Sequence, residues 1–299
     1  MKQLLVQGAL PVVRPLNRMV VRRRYRRAAS SGFSTAPFPP HQGPVLLCAP
    51  HVDDESIAAG GLLLAWHRQG VPVDLAYLTD SSAGGKGESA AERASIRRAE
   101  AEELARRTGV RSLHVLPGVN ENLLATAAEV TSELAEILER GGHQVVVTVG
   151  PLDAHHEHRE CAAIVRDALV RVGFPGPVYV GENSNLLPLP LVTHHHALTE
   201  SEAADRAGLF DIFRSQTTMG FEVYSDLARA KAPLAPGSHA LELFHRTDAP
   251  GFSRLVDAVA ALDLDALLPA RIGNSWSFLH ALTPDDSVMT ALAATGWKA

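Results

Sequence analysis

From residue 45 onwards, short apolar runs alternate with longer stretches in which apolar positions recur at helical spacing. The short runs predict five strands, at residues 45–49, 73–79, 112–116, 144–150 and 177–181. The longer stretches predict four helices between them, at residues 56–68, 89–107, 126–140 and 159–172. Continuous apolar strands separated by amphipathic helices are typical of a parallel sheet covered on both faces. We therefore predict an α/β fold, a Rossmann-like three-layer sandwich with a mostly parallel sheet, plus C-terminal helical elements.

The amino-terminal arm, residues 1–27, combines dense apolar positions with a basic cluster. Pro11 and Pro15 should interrupt any long helix, which leaves a short amphipathic piece from Leu16 to Arg27. Since the basic cluster follows the apolar part rather than preceding it, we expect no cleaved secretory signal. Such an arm suits the surface of an anionic membrane. The alternative is an arm that packs on its own body or on a partner subunit.

Composition and charge restrict the classes of function. Hydrophobic residues make up 46% of the 299 residues, which excludes global disorder. Two cysteines, Cys48 and Cys161, cannot form a disulfide framework or a four-thiolate metal site. Residues 1–30 hold eight of the 28 basic residues and no acid, so 20 bases face 33 acids elsewhere, a balance of −13. A body this acidic is a poor nucleic-acid binder, and no apolar run approaches the roughly 18 residues of a membrane span.

Two clusters of histidines and acids directly follow predicted strands. They read PHVDDE at residues 50–55 and PLDAHHEHR at residues 151–159. In parallel α/β sheets, ligands bind beyond the carboxyl ends of the strands. A histidine and an acid three residues apart, with a third ligand from another strand end, suit a divalent metal such as zinc. Either cluster alone is more typical of a charged helix start or a solvated loop, but their joint placement favours a metal site.

The two clusters also resemble the motifs of a known family. PHVDDE is similar to the Pro-His-x-Asp-Asp-Glu signature of the PIG-L/LmbE-like metal-dependent de-N-acetylases, and DAHHEHR resembles the second motif of that family, Asp-x-His-x-Asp-His-Arg. Weaker matches keep the family's order, at Arg97-x-x-Glu100, Gly109, Arg206, Phe213-Arg-Ser215-Gln216 and Glu242-Leu-Phe244. The resemblance extends from about residue 45 to 245.

The resemblance implies a metal site with a base beside it. His51, Asp54 and His158 would be the ligands of one Zn²⁺, or another divalent metal, per chain. Asp53 would be the general base. His155 would stabilise or protonate the tetrahedral intermediate.

Four further residues receive roles around that centre. Arg97 and Glu121 would contact the substrate, and Asp153 and Glu157 would orient the histidines. The chain departs from the family at several positions, with Val52 for Pro, Glu157 for Asp, Asn120-Glu121 for an Asp-Gly loop and Phe213 for His or Tyr. The last two departures concern substrate contacts more than the metal.

The resemblance implies a zinc-dependent hydrolase that removes an N-acetyl group from an N-acetylglucosamine-like small molecule or glycoconjugate. The alternatives are a related amidase that cleaves another N-acyl bond, or a non-catalytic sugar-binding protein of the same fold. We expect residues 1–44 to be a basic arm and linker, residues 45–245 the catalytic domain, and residues 246–299 an extension packed on it. A cytoplasmic location is expected, and peripheral membrane contact through residues 1–27 is compatible with it.

Several conspicuous residues are not expected to be chemical. The run His194-His195-His196 follows a Pro-rich stretch and is assigned to a loop or substrate rim. Cys48 lies within a strand pattern and Cys161 within a helix, so both are expected in the core. The loop SSAGGKG at residues 81–87 lacks the P-loop consensus and is expected to line the pocket.

Overall fold

The structure is a computed structural model that describes residues 2–41 and 43–298, with side chains from residue 12 onwards. Across this part of the chain, eight strands form one sheet. They are β1 (Ala36–Pro37), β2 (Val45–Ala49), β3 (Val73–Thr79), β4 (Ser112–Gly118), β5 (Val145–Val149), β6 (Pro177–Gly181), β7 (His194–Leu198) and β8 (Ala240–Asp248). Their spatial order is β1-β7-β8-β6-β5-β2-β3-β4. All neighbours pair in parallel except β8, which is antiparallel to β6 and β7.

Ten α-helices accompany the sheet within the described residues. They are α1 (Lys2–Ser30), α2 (Asp54–Gln69), α3 (Ala90–Thr108), α4 (Leu123–Gly141), α5 (His156–Val172), α6 (Glu200–Leu209), α7 (Glu222–Ala230), α8 (Ala249–Ala260), α9 (Leu264–Leu267) and α10 (Asp285–Ala294).

Helices cover both faces of the sheet. Alternate residues of β2 point to opposite sides: Val45 and Leu47 belong to one core cluster, and Leu46 and Cys48 to the other. The first cluster is completed by side chains of α1, α2, α3 and α7, and the second by α4, α5 and α8. The predicted three-layer α/β sandwich with a mostly parallel sheet is therefore confirmed, and the two cysteines are buried as expected.

The predicted strands and helices agree with the structure to within a few residues, and the largest differences lie at helix starts. The helices predicted from residues 126 and 159 begin at Leu123 and His156. The first turn of α5 consists of the polar residues His156-Glu157-His158, which carry no apolar periodicity and so gave no helical signal. The first turn of α4 is apolar, Leu123-Leu124-Ala125, and the prediction missed it.

The structure corrects the prediction for the amino-terminal arm. We expected Pro11 and Pro15 to interrupt any long helix, but α1 is continuous from Lys2 to Ser30. The arm packs on its own body, because Val21 and Tyr25 join the first core cluster. Packing of Val21 and Tyr25 on the body stabilises the helix despite its weak intrinsic propensity. The local sequence pattern gives no information on such contacts.

The histidine run is a second correction. Residues 194–196 were assigned to a loop, but they begin strand β7, which pairs with β1 and β8. His195 is buried, and its Nδ1 lies 2.7 Å from the Thr35 hydroxyl. The run lies in a strand that β8 and β6 separate from β5 in the sheet.

The carboxyl-terminal residues add a third small core. Leu255 of α8 and Leu292 of α10 pack with Leu152 and Leu191 of the body. The first part of the extension holds two helices, α8 and α9. Strand β8 crosses the expected boundary at residue 245, and the domain boundaries themselves stay a prediction. Within the described chain, no helix is both long and apolar enough to cross a membrane.

Candidate functional site

The two acidic and histidine-rich clusters meet at one edge of the sheet. Strands β2 and β5 are direct neighbours and run parallel, so their carboxyl ends lie side by side. The chain leaves β2 into residues 50–55 and leaves β5 into residues 151–158. The strand topology therefore places together two segments that lie about a hundred residues apart in sequence.

A carboxylate oxygen and two imidazole nitrogens converge at this edge. Asp54 Oδ2 lies 3.1 Å from His51 Nδ1 and 3.3 Å from His158 Nε2. Ligand atoms of a tetrahedral zinc, each about 2.0–2.2 Å from the ion, lie roughly 3.3–3.6 Å from one another. The two separations from Asp54 Oδ2 are close to this range.

The opposite nitrogen of each imidazole is held by a second carboxylate. His158 Nδ1 lies 3.0 Å from Asp153 Oδ2, and His51 Nε2 lies 3.0 Å from Glu157 Oε2. Histidines that bind metals commonly have their other nitrogen fixed by a carboxylate, which sets the ring orientation and the tautomer. Both imidazoles show this pattern, so the arrangement is more specific than a group of nearby charges.

Electrostatics favour a charged carboxylate at the centre of this group. Although burial favours the neutral forms, contact with His158 and His51 holds the pKa of Asp54 well below its usual value. The pKa of His158 is raised against the effect of burial because Asp54 and Asp153 face it. Asp54 is further fixed by Asn183 Nδ2, which donates to Asp54 Oδ1 at 2.9 Å.

His155 is a third imidazole at the same place. Its ring stacks on that of His158 with centroids 4.6 Å apart and planes 5° from parallel. One nitrogen each of His51, His155 and His158 lie within 4.8 Å of one another. Burial and the neighbouring His158 and His51 lower the pKa of His155 to about 3, so the ring is neutral near pH 7. Its Nδ1 is buried with no hydrogen-bond partner among the described residues.

Asp53 is held in an unusual backbone conformation at the start of α2. Its φ of 119° lies in a region that residues other than glycine rarely adopt. Its amide donates to Glu55 Oε2 at 3.0 Å, and Glu55 also accepts from Ser56 and Tyr77 hydroxyls. This buried network holds the turn so that Asp53 and Asp54 take different directions.

The side chain of Asp53 meets a buried guanidinium. Arg97 of α3 donates to Asp53 Oδ2 at 3.0 Å, and Arg97 is only 1% exposed. Burial raises the pKa of Asp53 to about 8, although the Arg97 charge opposes the shift. A carboxyl with a raised pKa is a stronger base than the same group in water, which suits proton transfer.

Arg97 connects the site to a distant loop. It also donates to Glu100 at 2.7 Å and to the Ser215 hydroxyl at 3.2 Å, and the Ser215 amide and hydroxyl both donate to Glu100 at 2.8 Å. The expected role of Arg97 as a substrate contact stays a prediction, since the contacts that the structure gives it are with Asp53, Glu100 and Ser215.

The loop at residues 120–121 closes one side of the site. Asn120 Nδ2 lies 3.2 Å from His51 Nε2 and also donates to Glu157. The Glu121 amide donates to Glu157 Oε1 at 2.5 Å, while the Glu121 side chain is exposed. The longer Glu157, in place of the family's Asp, therefore bridges His51 to this loop. The substrate role of Glu121 stays a prediction.

Two site residues were missed at the level of sequence. Asn183 contacts Asp54, and the Ser184 amide donates to Asp153 Oδ2 at 3.1 Å. Both directly follow β6, the strand beside β5. The rule that placed the other clusters, polar residues just after strands, would have found them.

A break in α2 is held by a buried ion pair. Ala59 has a φ of −148°, so the helix is interrupted there. Arg206 donates to the Ile57 carbonyl at 2.8 Å, and Glu242 accepts from the Gly61 and Leu62 amides at 2.7 and 2.9 Å. The two weak sequence matches at Arg206 and Glu242 therefore satisfy backbone groups freed by the break.

The fold and this geometry agree with a comparison against protein families. Residues 46–169 match the PIG-L family model, described as GlcNAc-PI de-N-acetylase. Residues 46–169 are a PIG-L family domain. The matched range holds all nine residues to which the motifs assigned roles, while the weaker matches at Arg206, Ser215 and Glu242 lie outside it. The family match supports a hydrolase that acts on N-acetyl amide bonds.

Solved structures share the PIG-L fold with this chain. The N,N'-diacetylchitobiose deacetylase from Pyrococcus horikoshii is 22% identical with a TM-score of 0.60, covering 70% of this chain and 85% of that one. The A40926 pseudoaglycone deacetylase is 14% identical with a TM-score of 0.56, covering 70% and 99%. The 4-carboxy-2-hydroxymuconate hydratase from Pseudomonas putida is 18% identical with a TM-score of 0.58, covering 69% and 96%. A search of curated proteins found no match.

Proposed function

We propose that this PIG-L family protein is a metal-dependent, zinc-binding de-N-acetylase that acts on an N-acetylglucosamine-like substrate, with Asp53 as the base. The observation that carries the proposal is the position of Asp54 Oδ2, 3.1 Å and 3.3 Å from two imidazole nitrogens. Each imidazole is fixed by its own carboxylate, and a separate buried carboxyl, Asp53, adjoins the group. Structural neighbours that are deacetylases support the reaction type.

A bound metal would contribute Lewis acidity to this site. A divalent ion held by His51, Asp54 and His158 would lower the pKa of a water molecule and polarise a carbonyl group. Nitrogen and carboxylate ligands in this number are those of catalytic zinc, which keeps one position open.

Asp53 moves the proton. Its carboxylate accepts a proton from water as the water oxygen adds to the acetamide carbon. It then returns the proton to the amide nitrogen as the C–N bond breaks, which releases acetate and a free amine. Arg97 fixes Asp53 Oδ2 from one side at 3.0 Å, so the other carboxylate oxygen is left for this transfer.

His155 stabilises the charge that develops on the carbonyl oxygen. A neutral imidazole carries one N–H, which His155 can donate beside the proposed metal ligands. A preorganised donor of this kind contributes about 3 kcal/mol to catalysis in other oxyanion sites. The stacked contact with His158 holds the ring against the metal ligands.

A substrate panel tests the proposal. Metal-loaded protein is incubated with N-acetylglucosamine conjugates, and the products are examined by mass spectrometry for loss of one acetyl group and by an acetate assay. Acetate release that depends on the metal is the expected result. Asp53→Asn protein is the control for acetate released without the site.

Two other outcomes would favour the alternatives. Stoichiometric metal with release of another acid from N-acyl substrates would indicate a related amidase. Metal binding without turnover of any amide would indicate a non-catalytic sugar-binding protein of this fold.

A further inference from the structure

One face of α1 is fixed on the body of the protein. Val21 and Tyr25 are fully buried in the first core cluster, and Asn17 Nδ2 donates to the Ser275 carbonyl at 2.6 Å. Ion pairs fix the flanks of this face: Arg14 and Arg18 contact Asp226 at 2.6 and 2.7 Å, and Arg24 contacts Asp285 at 2.6 Å. The helix therefore has a defined outer face.

The first half of that outer face is apolar. Nine large hydrophobic residues are exposed in the part of the chain whose side chains are described, and four of them lie on this one helix. Val12 is 72% exposed and Met19 is 62% exposed, with Leu16 and Val20 beside them. Scattered exposed hydrophobics are ordinary, but a concentration on one helix face marks an interaction surface.

The second half of the outer face is cationic. Arg22, Arg23, Arg26 and Arg27 are exposed, and none forms an ion pair with any described residue. At 1.5 Å per residue, the apolar and cationic halves together extend over roughly 22 Å of helix. We call the eight residues Val12, Leu16, Met19, Val20, Arg22, Arg23, Arg26 and Arg27 the outer face of α1.

We propose that the outer face of α1 is a docking surface for an anionic lipid bilayer. The arginines meet lipid phosphates while the adjoining apolar side chains enter the boundary between headgroups and acyl chains. Arginine is well suited to this contact because its planar guanidinium pairs with phosphate and keeps its charge. The apolar half distinguishes this surface from a nucleic-acid site, which relies on phosphate contacts and base stacking.

The charge of the remaining protein orients this contact. Outside residues 1–30 the chain holds 20 basic and 33 acidic residues. An anionic bilayer repels such a body and attracts α1, so charge favours the same orientation as the apolar contacts.

The opposite face of α1, which packs on the body, adjoins loops that border the candidate active site. Arg24 donates to the Leu187 carbonyl, and Ser184 in the same loop donates to Asp153. Asn17 contacts Ser275, and Ile272 in that loop donates to the Ser184 carbonyl at 2.7 Å. Contact of the outer face with a bilayer would therefore place these loops about one helix diameter, roughly 10 Å, from the lipid surface.

Vesicle sedimentation tests the proposal with the full chain. Protein is mixed with vesicles of phosphatidylcholine alone, or of phosphatidylcholine with phosphatidylglycerol. We expect binding only to the anionic vesicles, and binding that weakens as salt is raised. The variant R22Q/R23Q/R26Q/R27Q should bind several hundred-fold more weakly, since each arginine contributes about fivefold. The variant V12S/M19S should lose roughly tenfold through its apolar contacts alone.

The matched control is R98Q/R106Q/R107Q/R140Q. It removes four exposed arginines of α3 and α4 and changes net charge equally. Its binding should equal that of the unmodified protein, and melting curves check that every variant is folded. Equal loss in both quadruple variants would overturn the proposal, because net charge would then explain binding. Binding to single-stranded RNA without binding to vesicles would overturn it in favour of a nucleic-acid surface.

Discussion

Arg206 and Glu242 form a buried ion pair, 2.6 Å apart, at the break in α2. Together they bond one carbonyl before the break and two amides after it. The first turn of α2 carries Asp54 and follows Asp53, so this pair stabilises the helix on which both acids depend.

We predict that Glu242→Gln destabilises the protein by about 3–5 kcal/mol, because a buried guanidinium loses its counter-charge. Urea unfolding measures the change. The control is Arg68→Gln, which removes an exposed pair between α2 and α6, Arg68 with Glu202 at 2.8 Å, and should change stability by less than about 1 kcal/mol. Similar effects of the two substitutions would contradict the role given to Glu242.

Replacement of a ligand should remove the metal. His158→Ala loses a nitrogen 3.3 Å from Asp54 Oδ2, so the purified protein should hold far less than one metal ion per chain by elemental analysis. His156→Ala is the matched control, since His156 is exposed on the same turn. A full complement of metal in the His158 variant would exclude it as a ligand.

Replacement of the base should separate binding from chemistry. Asp53→Asn keeps the shape of the side chain and leaves the ligands in place, so metal content should be unchanged. Turnover of the N-acetyl substrate should fall by roughly 10²–10⁴-fold, the usual contribution of a general base. Measurement of kcat with parallel metal analysis checks this. Turnover at the rate of the unmodified enzyme would show that another group takes the proton.

Glu157 should tune the metal site without binding the ion. Glu157→Ala releases His51 Nε2 and the loop at residues 120–121, which Glu157 joins. Loss of such a supporting contact lowers metal affinity by about 10–100-fold. Competition with a chelator measures the affinity, and Glu160→Ala on the same helix serves as control. An unchanged affinity in the Glu157 variant would mean that His51 is oriented without Glu157.

Stability should fall in acid because Asp74 and His143 gain protons. These two residues and Arg111 cluster where β3, β4 and β5 begin, at the end of the sheet opposite the candidate site. Burial raises the pKa of Asp74, but hydrogen bonds from Arg111 and His143 lower it below its usual value overall. Burial also lowers the pKa of His143. Both groups bind protons more readily when unfolded, so they stabilise the fold above their ordinary pKa values, about 6.5 for His and 3.9 for Asp, and less as pH falls below them.

Urea unfolding at a series of pH values measures this dependence. In Asp74→Asn the carboxyl no longer titrates, and stability should fall less steeply as pH decreases below about 5. Identical pH profiles for the two proteins would show that the cluster does not contribute to acid sensitivity.

Much of the fold was predictable because its signals are local. The runs at residues 45–49 and 145–149 are apolar on both faces, which identifies them as buried strands. The two polar clusters that follow them could be assigned to one site because the carboxyl ends of neighbouring parallel strands meet at one edge of the sheet. Asn183 and Ser184 also follow a strand, so the same rule could have predicted them. Features that depend on contacts between distant parts of the sequence could not be predicted. The continuity of α1 depends on contacts with Asp226 and Ser275, more than two hundred residues away, and the break in α2 depends on Glu242. No window of sequence contains both partners.

The fixation of α1 has a geometric consequence. Its described part is held near one end through Arg14 and near the other through Arg24, with Asn17, Val21 and Tyr25 seated between them. Because the helix is attached along its length, it fixes the orientation of the protein body relative to the surface that the helix contacts. A flexible linker would fix only the distance. A protein attached in this way would bind a lipid surface in one orientation. It would then encounter molecules of that surface by diffusion in two dimensions.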